Sequence, residues 1–382
     1  MRLRYKRWIS LLLAVVMMLT LGACGVQSQS DTTDKIAFDS LEKTGQMTLA
    51  YATQYQVEYY GDYSLITIGE DQRFLLVPEG KDIPKNLPED VVALQQPLDK
   101  TYLVSTSVMD LIRQLDCISY IRLSGSKAKD WYITEAKEAI EAGNMIYAGK
   151  YSAPDYECIL NEGCNLAIEN TMIYHTPEVK EKLEELGIPV LVERSSYETH
   201  PLGRLEWIKL YGLLFDALDE ANAYFDSQVE QITPLLDQAN TGKTVAFFSV
   251  NSSGAINVRK PGDYITQMIT MAGGNYALAD VVPEEENALS TMNMQMEDFY
   301  NAAQSADILI YNSAIEGEIT SIDELLAKNS LFAQFDAVKK GNVYCTGKNF
   351  FQESTGMAEF VEDMHNVLGD ADADLTYLKK LN

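Results

Sequence analysis

Residues 200–238 read HPLGRLEWIKLYGLLFDALDEANAYFDSQVEQITPLLDQ, and this stretch decides the fold. Its apolar side chains recur every three or four residues, which is the spacing of one face of a helix. Pro201 suits the first helical turn, where a missing N–H is no loss. A helix over 201–239 would reach roughly 50 Å, with a kink at Pro234. Because one domain does not need so long a strut, the spacing predicts two lobes joined by a single long helix.

Strands and helices alternate on both sides of this helix, as in βαβ units with parallel sheets. Before it, the predicted strands are 74–77, 102–104, 121–123, 166–168 and 190–192, and the predicted helices are 108–115, 133–142 and 178–186. After it, the predicted strands are 245–250, 256–258, 308–311 and 342–345, and the predicted helices are 263–271, 296–302, 322–327 and 354–368. The predicted fold class is α/β, with lobes at 46–200 and 240–382, each built on a mainly parallel central sheet flanked by helices.

The first lobe opens on a Tyr-rich segment, residues 51–63. Gly61-Asp62 marks the turn of a β-hairpin with strands at 48–59 and 63–68. The sequence leaves the role of this segment open.

The first 23 residues have the composition of an export signal. Four basic residues precede the apolar stretch 9–21, which is too short to span a membrane. Leu21-Gly22-Ala23-Cys24 then resembles the lipobox of bacterial lipoproteins, in which Cys24 receives the lipid and becomes the N-terminus. The alternative is a plain secretory signal with an incidental cysteine. We expect a protein anchored by lipid to the extracytoplasmic face of the cell membrane, with 24–45 as a flexible tether.

The chain is strongly acidic. Its 382 residues carry 30 Lys and Arg against 56 Asp and Glu, a net charge of −26 that becomes −30 when the leader and its four basic residues are removed. Such a surface repels nucleic acids and anionic lipid headgroups, so neither is an expected partner. A body of about 350 residues also exceeds what one hydrophobic core organises, which again favours two domains.

Cysteine and histidine are scarce. Besides Cys24 the chain has Cys117, Cys158, Cys164 and Cys345, for which three pairings exist and buried free thiols are the favoured state. None of the three histidines stands at metalloprotease spacing, so neither a zinc site nor a cofactor is expected. A bare metal ion would need several converging ligands, and the scarcity of His argues against it.

Six short motifs follow one another along the chain. They are GIPV at 187–190, ETHPLGRLEWI at 198–208, PGDYI at 261–265, MAGGN at 271–275, ADILI at 306–310 and FDAVKKGNVY at 335–344. In this order, behind a lipobox, they resemble the substrate-binding proteins of iron-siderophore, heme and vitamin B12 ABC importers. The resemblance covers most of residues 70–368. It departs from the family at the Tyr-rich opening and at Cys164-Asn165, where a Pro-Asp pair is usual.

The resemblance implies a class III periplasmic-binding-protein-like architecture, in which a single rigid helix joins two lobes and the cleft between them is largely preformed. It also implies a monomer without enzymatic activity, whose partners are a metal chelate and an ABC permease dimer. One acidic residue on each lobe would dock onto the permease, and Glu157 and Glu297 stand at the corresponding positions. On so acidic a chain these carboxylates are otherwise simply solvated.

Polar and aromatic residues follow the predicted strand ends of the first lobe, where open α/β sheets bind ligands. Hydroxyls there suit an anionic group, or else cap a helix. Cations beside aromatics suit an anionic, conjugated ligand, or else form a solvated loop around a core Trp. The candidates of these two kinds are Ser105, Ser107, Lys127, Trp131, Lys150 and Tyr151.

Arg194 and Tyr174 are the favoured ligand-binding residues of this lobe, because both follow strand ends and a guanidinium forks onto carboxylates. His175 could ligate iron or cobalt, although a lone His is more often a hydrogen-bonded bystander. The second-lobe candidates are Arg259, Tyr264, Asn312 and Phe350. Arg259 is favoured among them because a cation near a cleft needs an anionic partner. That partner is either the ligand or a structural carboxylate.

The sequence thus predicts a lipid-anchored binding protein that captures a metal chelate, a ferric siderophore in the first instance, and delivers it to an ABC permease. Heme or a corrinoid in the same cleft is the alternative, since all three ligands present carboxylates, amides or conjugated faces. An extracytoplasmic α/β hydrolase is the rival from another class, but the sequence has neither a Gly-x-Ser-x-Gly elbow nor a P-loop. A sensor or adhesion module of the same fold is a further alternative.

Overall fold

The structure is a computed structural model that describes residues 36–282 and 290–382. The predicted signal peptide, Cys24 and the first part of the predicted tether lie outside the described residues. In the second part, 36–45, Ala37 pairs with Lys85 and Phe38 lies against an apolar cluster. Among the residues described, none of the helices combines the length and apolar character that crossing a membrane requires.

The chain begins with a five-stranded sheet, called here the N-terminal sheet. Its strands are β1 Gly45–Gln46, β2 Tyr55–Tyr60, β3 Tyr63–Ile68, β4 Gln72–Val77 and β5 Val91–Gln95, in that spatial order. The β2–β3 hairpin confirms the predicted hairpin and its turn at Gly61-Asp62. One face of the sheet packs on the main core through residues such as Phe74, and the other buries a small cluster around Leu65. The segment expected to form one lobe therefore holds two sheets.

The second sheet of the first lobe is entirely parallel. Its strands are β6 Thr101–Leu103, β7 Ile121–Ser124, β8 Ile146–Tyr147, β11 Leu166–Glu169 and β12 Val190–Val192, while β9 Gly149–Lys150 and β10 Ala153–Pro154 form a separate ribbon. The helices are α1 Thr106–Gln114, α2 Thr134–Glu141, α3 Tyr156–Asn161 and α4 Pro177–Glu185. In the spatial order β12-β11-β6-β7-β8, the chain adds β7 and β8 on one side of β6 and then β11 and β12 on the other. The connections thus change direction between β6 and β11. That reversal is the switch point beside which open α/β sheets form a crevice.

The linker between the lobes consists of three helices, α5 Pro201–Glu206, α6 Ile208–Leu214 and α7 Leu218–Leu236. A long bridging helix is confirmed by the 19 residues of α7. An unbroken helix over 201–239 is wrong, because Asp216 adopts a left-handed conformation with φ 59° and the chain turns back there. The turn lets α7 pack directly on α6, and a Cβ at Gly212 would collide with Ala221.

The segment at residues 50–54 is fastened to the linker by two buried carboxylates. Glu206 accepts hydrogen bonds from the N–H groups of Ala50, Tyr51 and Ala52 and pairs with Lys209 at 2.8 Å. Glu198 accepts the N–H groups of residues 53 and 54 at 2.9 Å each. The N-terminal sheet is thereby tied to the start of the linker.

The sheet of the second lobe is mixed. Its strands are β13 Thr244–Val250, β14 Ile256–Arg259, β15 Asn275–Tyr276, β16 Thr291–Met294, β17 Ile308–Tyr311, β18 Val343–Thr346 and β19 Leu378–Lys380. Its helices are α8 Tyr264–Met271, α9 Met296–Ala303, α10 Ser313–Glu316, α11 Ile322–Lys328, α12 Asp336–Lys340 and α13 Met357–Leu368. β13 pairs in parallel with β15 and β17, and β17 with β18, whereas β14, β16 and β19 run antiparallel to their neighbours. The pairs among β13, β15, β17 and β18 are parallel, as expected, and β14 joins this sheet antiparallel because the short turn after β13 forms a hairpin.

Candidate functional site

The candidate site lies where the carboxyl ends of the first-lobe strands face the linker and the second lobe. Three loops leave these ends: one after β6, one after β11 with the 3₁₀ helix Thr171–His175, and one after β12 with the 3₁₀ helix Ser195–Tyr197. The first two flank the switch point. All but a few of the first-lobe candidates predicted from the sequence lie on these loops or on those after β7 and β9.

The two serines after β6 have structural partners. Ser105 is buried, and its hydroxyl lies 3.4 Å from the Glu193 carboxylate and 3.4 Å from the Ser107 hydroxyl. Glu193 also accepts the N–H of Ser195 at 2.7 Å. Burial raises the pKa of Glu193, while Ser195 and the nearby Arg204 oppose that rise. Ser105 therefore supports a buried carboxyl group instead of facing a ligand directly.

Arg204, on α5, is the cation best placed to bind an anion between the lobes. Its guanidinium lies 4.0 Å from the centre of the Tyr264 ring, and its Nε is buried without a hydrogen-bond partner among the described residues. It lines a small pocket of about 20 Å³ together with Tyr264, Phe350 and Phe351. Arg204 belongs to the motif at 198–208 but was not among the predicted site residues. Its position at the start of the predicted linker, between the two lobes, could have identified Arg204 as a candidate.

Arg259 stacks near the same tyrosine, at 5.2 Å, but is paired with a carboxylate of its own lobe. Its Nε and Nη2 donate to the two carboxylate oxygens of Asp263 at 2.7 and 2.6 Å, and its side chain is buried. The structure thus gives Arg259 the structural salt bridge that the sequence left as an alternative. Asp263 in turn accepts the N–H of Ile265 and so caps α8.

Two predicted contacts are corrected by burial. Trp131 is 4% exposed and donates from its indole N–H to the Ser124 hydroxyl at 3.2 Å, so it belongs to the core and does not form a cleft wall. Asn312 is 3% exposed, and its side chain accepts the N–H of Ala314 at the start of α10. Both residues serve local structure in this conformation.

The exposed rim of the first lobe carries the remaining candidates. Tyr174 is 43% exposed, and His175 beside it is also exposed. Lys127 lies over the exposed ring of Tyr147 at 5.2 Å. Lys150 is exposed and Tyr151 half-buried on the ribbon of β9 and β10. These side chains offer an aromatic surface with cations beside it.

Arg194, at the end of β12, contacts the N-terminal sheet. Its Nη1 lies 3.6 Å from the carboxylate of Asp71, in the turn between β3 and β4. Its guanidinium also stacks 5.0 Å from the ring of Tyr197. Asp71 and Arg194 shift the pKa of Tyr174 in opposite directions, and burial, the largest influence, raises it. The turn between β3 and β4 of the N-terminal sheet therefore reaches this rim.

Glu169, at the end of β11, is buried with both carboxyl oxygens free of hydrogen-bond partners among the described residues. Burial raises the pKa of Glu169 to about 8 and so favours the neutral form of the carboxyl group. Glu169 was not among the predicted site residues. A charged residue closing the apolar run Leu166-Ala167-Ile168 was the signal that could have found it.

The lobes touch each other beneath the site through residues 352–355. The hydroxyl of Ser354 donates to the Ser107 carbonyl, and the N–H of Thr355 donates to Asp110 at 2.8 Å. The side chain of Gln352 donates to the Asp130 carbonyl and accepts a hydrogen bond from the Tyr132 N–H, at 2.8 Å each. These bonds hold the lobes in one relative position.

The proposed docking residues occupy equivalent positions in the two lobes. Glu157 lies in the first turn of α3 and Glu297 in the first turn of α9, and both are exposed. A second pocket, of about 290 Å³, lies between the N-terminal sheet and α4 and is lined by Phe74, Val92 and Pro189. Asp71, which contacts Arg194, also lines it.

No cluster of His, Cys, Asp and Glu within the described ranges could hold a metal ion. Cys117 and Cys345 are buried free thiols, and Cys158 and Cys164 are half-buried free thiols.

Comparisons with known proteins agree on the fold. Residues 123–350 match the model of a family described as periplasmic binding protein. An uncharacterized lipoprotein of Methanocaldococcus jannaschii is 22% identical over 312 residues, which cover 77% of this chain and 72% of that protein. A periplasmic heme binding protein from Pseudomonas aeruginosa superposes with a TM-score of 0.57 at 13% identity, covering 74% of this chain and 98% of its own. A petrobactin-binding protein from Bacillus subtilis gives 0.57 at 13% identity, covering 72% and 93%.

Proposed function

The chain belongs to the periplasmic binding protein family and is a binding protein, not an enzyme; we propose that it captures a metal chelate, namely a ferric siderophore, in the cleft between its lobes and delivers it to an ABC permease. The solved structures that it resembles include proteins that bind heme and petrobactin. The same cleft in this chain offers a cation and aromatic rings of its own.

The observation that carries the proposal is Arg204 on the face of Tyr264. The guanidinium is held by stacking, and no carboxylate of the described residues pairs with it within 4.0 Å, so its donors remain available to an incoming anion. Phe350 and Phe351 form an aromatic wall beside it. Siderophores present carboxylate, catecholate or hydroxamate oxygens on an aromatic or apolar body, which suits this combination.

Heme or a corrinoid is the second candidate ligand, and the rim favours it. Met172 and Tyr174 are each 43% exposed, and His175 lies next to them. A flat conjugated ring could lie on these side chains, and the imidazole could approach its metal. We keep this alternative for that reason.

Location outside the cytoplasm accords with a relative described as a lipoprotein. Attachment of lipid to Cys24 would place the binding body next to the permease, at a high local concentration. Replacement of Cys24 by Ser should release the protein into the medium, which fractionation and immunoblotting would detect.

Tryptophan fluorescence tests ligand capture. Apart from the leader, the chain has two tryptophans, Trp131 and Trp207, both buried in the body of the protein. The soluble form lacking residues 1–24 would be titrated with a ferric siderophore panel, heme and cyanocobalamin. Saturable quenching at sub-micromolar concentration by one of them identifies the ligand. Absence of quenching by every member contradicts the chelate proposal.

Docking to a permease is tested by reversing the charge of Glu157 and Glu297. The double variant Glu157→Lys/Glu297→Lys should abolish uptake of the identified ligand while leaving its binding affinity unchanged, because both side chains are exposed and distant from the cleft residues. Glu181→Lys, on the exposed face of α4, is the matched control. Unchanged uptake in the double variant would favour a sensor or adhesion role.

A further inference from the structure

Arg194 is built into a junction between the first lobe and the N-terminal sheet. Gly69, in the turn between β3 and β4, has a positive φ of 59°, and its N–H donates to the Gln54 carbonyl. A Cβ at Gly69 would overlap the guanidinium of Arg194. The turn therefore lies directly against this side chain, and its positive φ favours glycine at position 69.

The junction is fixed by a second contact between the two sheets. The Gln72 side chain accepts the N–H of Val192 at 2.7 Å and donates to the Val192 carbonyl at 3.0 Å. The amide of Gln72 thus pairs with the free edge of β12 as a neighbouring strand would. Because Gln72 follows Asp71 directly, this pairing also fixes the position of Asp71 relative to Arg194.

The donors of Arg194 are nevertheless almost unused. Its Nε is buried without a partner, and none of the described residues accepts a hydrogen bond from the guanidinium. The contact to Asp71 is an ion pair at 3.6 Å, beyond normal hydrogen-bond length. The Tyr197 ring covers one side of the group at 5.0 Å. Arg194 is thus oriented by its surroundings but not saturated by them.

We propose that Asp71 is a built-in competitor for Arg194, and that the N-terminal sheet thereby tunes which anionic ligands the rim accepts. The Asp71 side chain is 65% exposed and that of Arg194 is 23% exposed, so their ion pair is weak and solvent-screened. A ligand carboxylate that accepts hydrogen bonds from the guanidinium with both of its oxygens displaces Asp71, whereas a neutral amide does not. This proposal deepens the proposed function. It rests on that function in one respect, namely that the ligand carries a carboxylate.

The N-terminal sheet is the part of the chain that makes this possible. It lies outside residues 123–350, which match the family. Its β3–β4 turn brings an acidic side chain to the end of β12, a position that the first-lobe sheet alone would leave open. Selectivity at this rim is therefore a property of the added sheet together with the lobe.

The direct test follows the Nε–H signal of Arg194 by ¹⁵N NMR during titration with citrate, a metal-free tricarboxylate. Arg194→Lys identifies the signal by its loss. In the wild-type protein citrate should shift the signal, and in Asp71→Asn the same shift should saturate at a roughly two- to fivefold lower citrate concentration, as expected for removal of an exposed ion pair. Glu70→Gln, the exposed acidic neighbour, should leave the midpoint unchanged. Equal midpoints for Asp71→Asn and wild type, or an Arg194 signal that citrate does not move, would overturn the proposal.

The chelate panel separates this inference from the proposed function. Asp71→Asn should bind carboxylate-bearing heme more tightly by the same factor and cyanocobalamin with unchanged affinity. A citrate response without binding of any chelate would leave the competitor role standing and remove the chelate function. Chelate binding that leaves the Arg194 signal unmoved would support the chelate function and remove the competitor role of Asp71.

Discussion

At the scale of single residues, two polar side chains near the site have atoms without hydrogen-bond partners among the described residues. Glu169 is fully buried, so desolvation raises the pKa of its carboxyl group and favours the neutral form. Arg204 is half-buried, lies against the ring of Tyr264 and lines the pocket.

Glu169 predicts a pH-dependent stability. Its folded pKa of about 8 lies above the ordinary value of 4.5. The contribution of Glu169 to the free energy of unfolding is therefore fully present below pH 4.5 and is lost as the pH rises toward 8. Between these values the wild-type free energy of unfolding should fall relative to that of Glu169→Gln, by up to about 1.4 kcal/mol per pH unit. Urea denaturation at pH 5, 6.5 and 8 measures the difference.

The exposed Glu181→Gln provides the comparison, since it should follow the wild-type curve at every pH. A constant difference between Glu169→Gln and wild type would mean that Glu169 is ionised in the folded protein.

Arg204 predicts a loss of ligand affinity without a loss of stability. Arg204→Gln removes the charge beside Tyr264 and should weaken an anionic chelate by at least about tenfold, the effect of one charge-assisted hydrogen bond. Arg73→Gln, which breaks an ion pair with Asp90 on the far side of the N-terminal sheet, should leave affinity unchanged. Fluorescence titration and thermal melting would be compared, and equal affinities for both variants would remove Arg204 from the site.

At the scale of elements, the linker depends on a segment far from it in sequence. Three helices meet in the linker, and residues 50–54 cross their start with their N–H groups directed at Glu198 and Glu206. Tyr51 adds a stacked contact with His200 at 4.7 Å between ring centres. Each of these hydrogen bonds joins residues more than 140 positions apart in the sequence. The segment therefore fastens the start of the linker to a distant part of the chain.

Glu206→Gln should lower the free energy of unfolding by about 3 kcal/mol, because it leaves Lys209 buried without its partner. Burial alone would raise the pKa of Glu206, but the hydrogen bonds from Lys209 and residues 50–52 outweigh it and lower the pKa. This contribution is therefore present above pH 4.5 and lost as the pH falls through the lower folded pKa.

Urea denaturation at pH 7 and pH 3 tests the size and the sign, with the exposed Glu230→Gln on α7 as control. Hydrogen exchange at residues 50–54 should accelerate in Glu206→Gln and not in Glu230→Gln. Unchanged exchange would show that other contacts hold the segment.

At the scale of the whole molecule, one hydrophobic core runs from the N-terminal sheet through the linker into the second lobe. The bonds of residues 352–355 add a direct connection between the lobes. A continuous core and a fastened linker oppose hinge bending, so the cleft is largely preformed.

Small-angle X-ray scattering should find that the radius of gyration changes by less than about 1 Å on saturation with the ligand. Thr355→Val, which removes the hydroxyl that bonds to Asp110, should enlarge the change if that contact restrains the lobes. A contraction of several ångström in the wild-type protein would refute the preformed cleft.

Much of the fold follows from local pattern in the sequence. Alternating apolar strands and amphipathic helices placed most elements within a few residues, and the family motifs fell where the structure has the linker and the strand ends. These features depend on short-range periodicity, which a sequence displays directly. Arg194 and Tyr174 could likewise be named because they follow strands that are evident from their composition.

Only the tertiary structure decided the break in the linker, the partners of Arg259 and the place of the N-terminal sheet. Asp216 turns the chain because α7 gains a packing surface on α6, which the helical stripe alone does not reveal. Asp71 meets Arg194 across more than 120 residues, and Glu206 binds a segment about 155 residues away. Such contacts depend on how elements pack, and packing is settled by burial and shape across the whole chain rather than by local pattern.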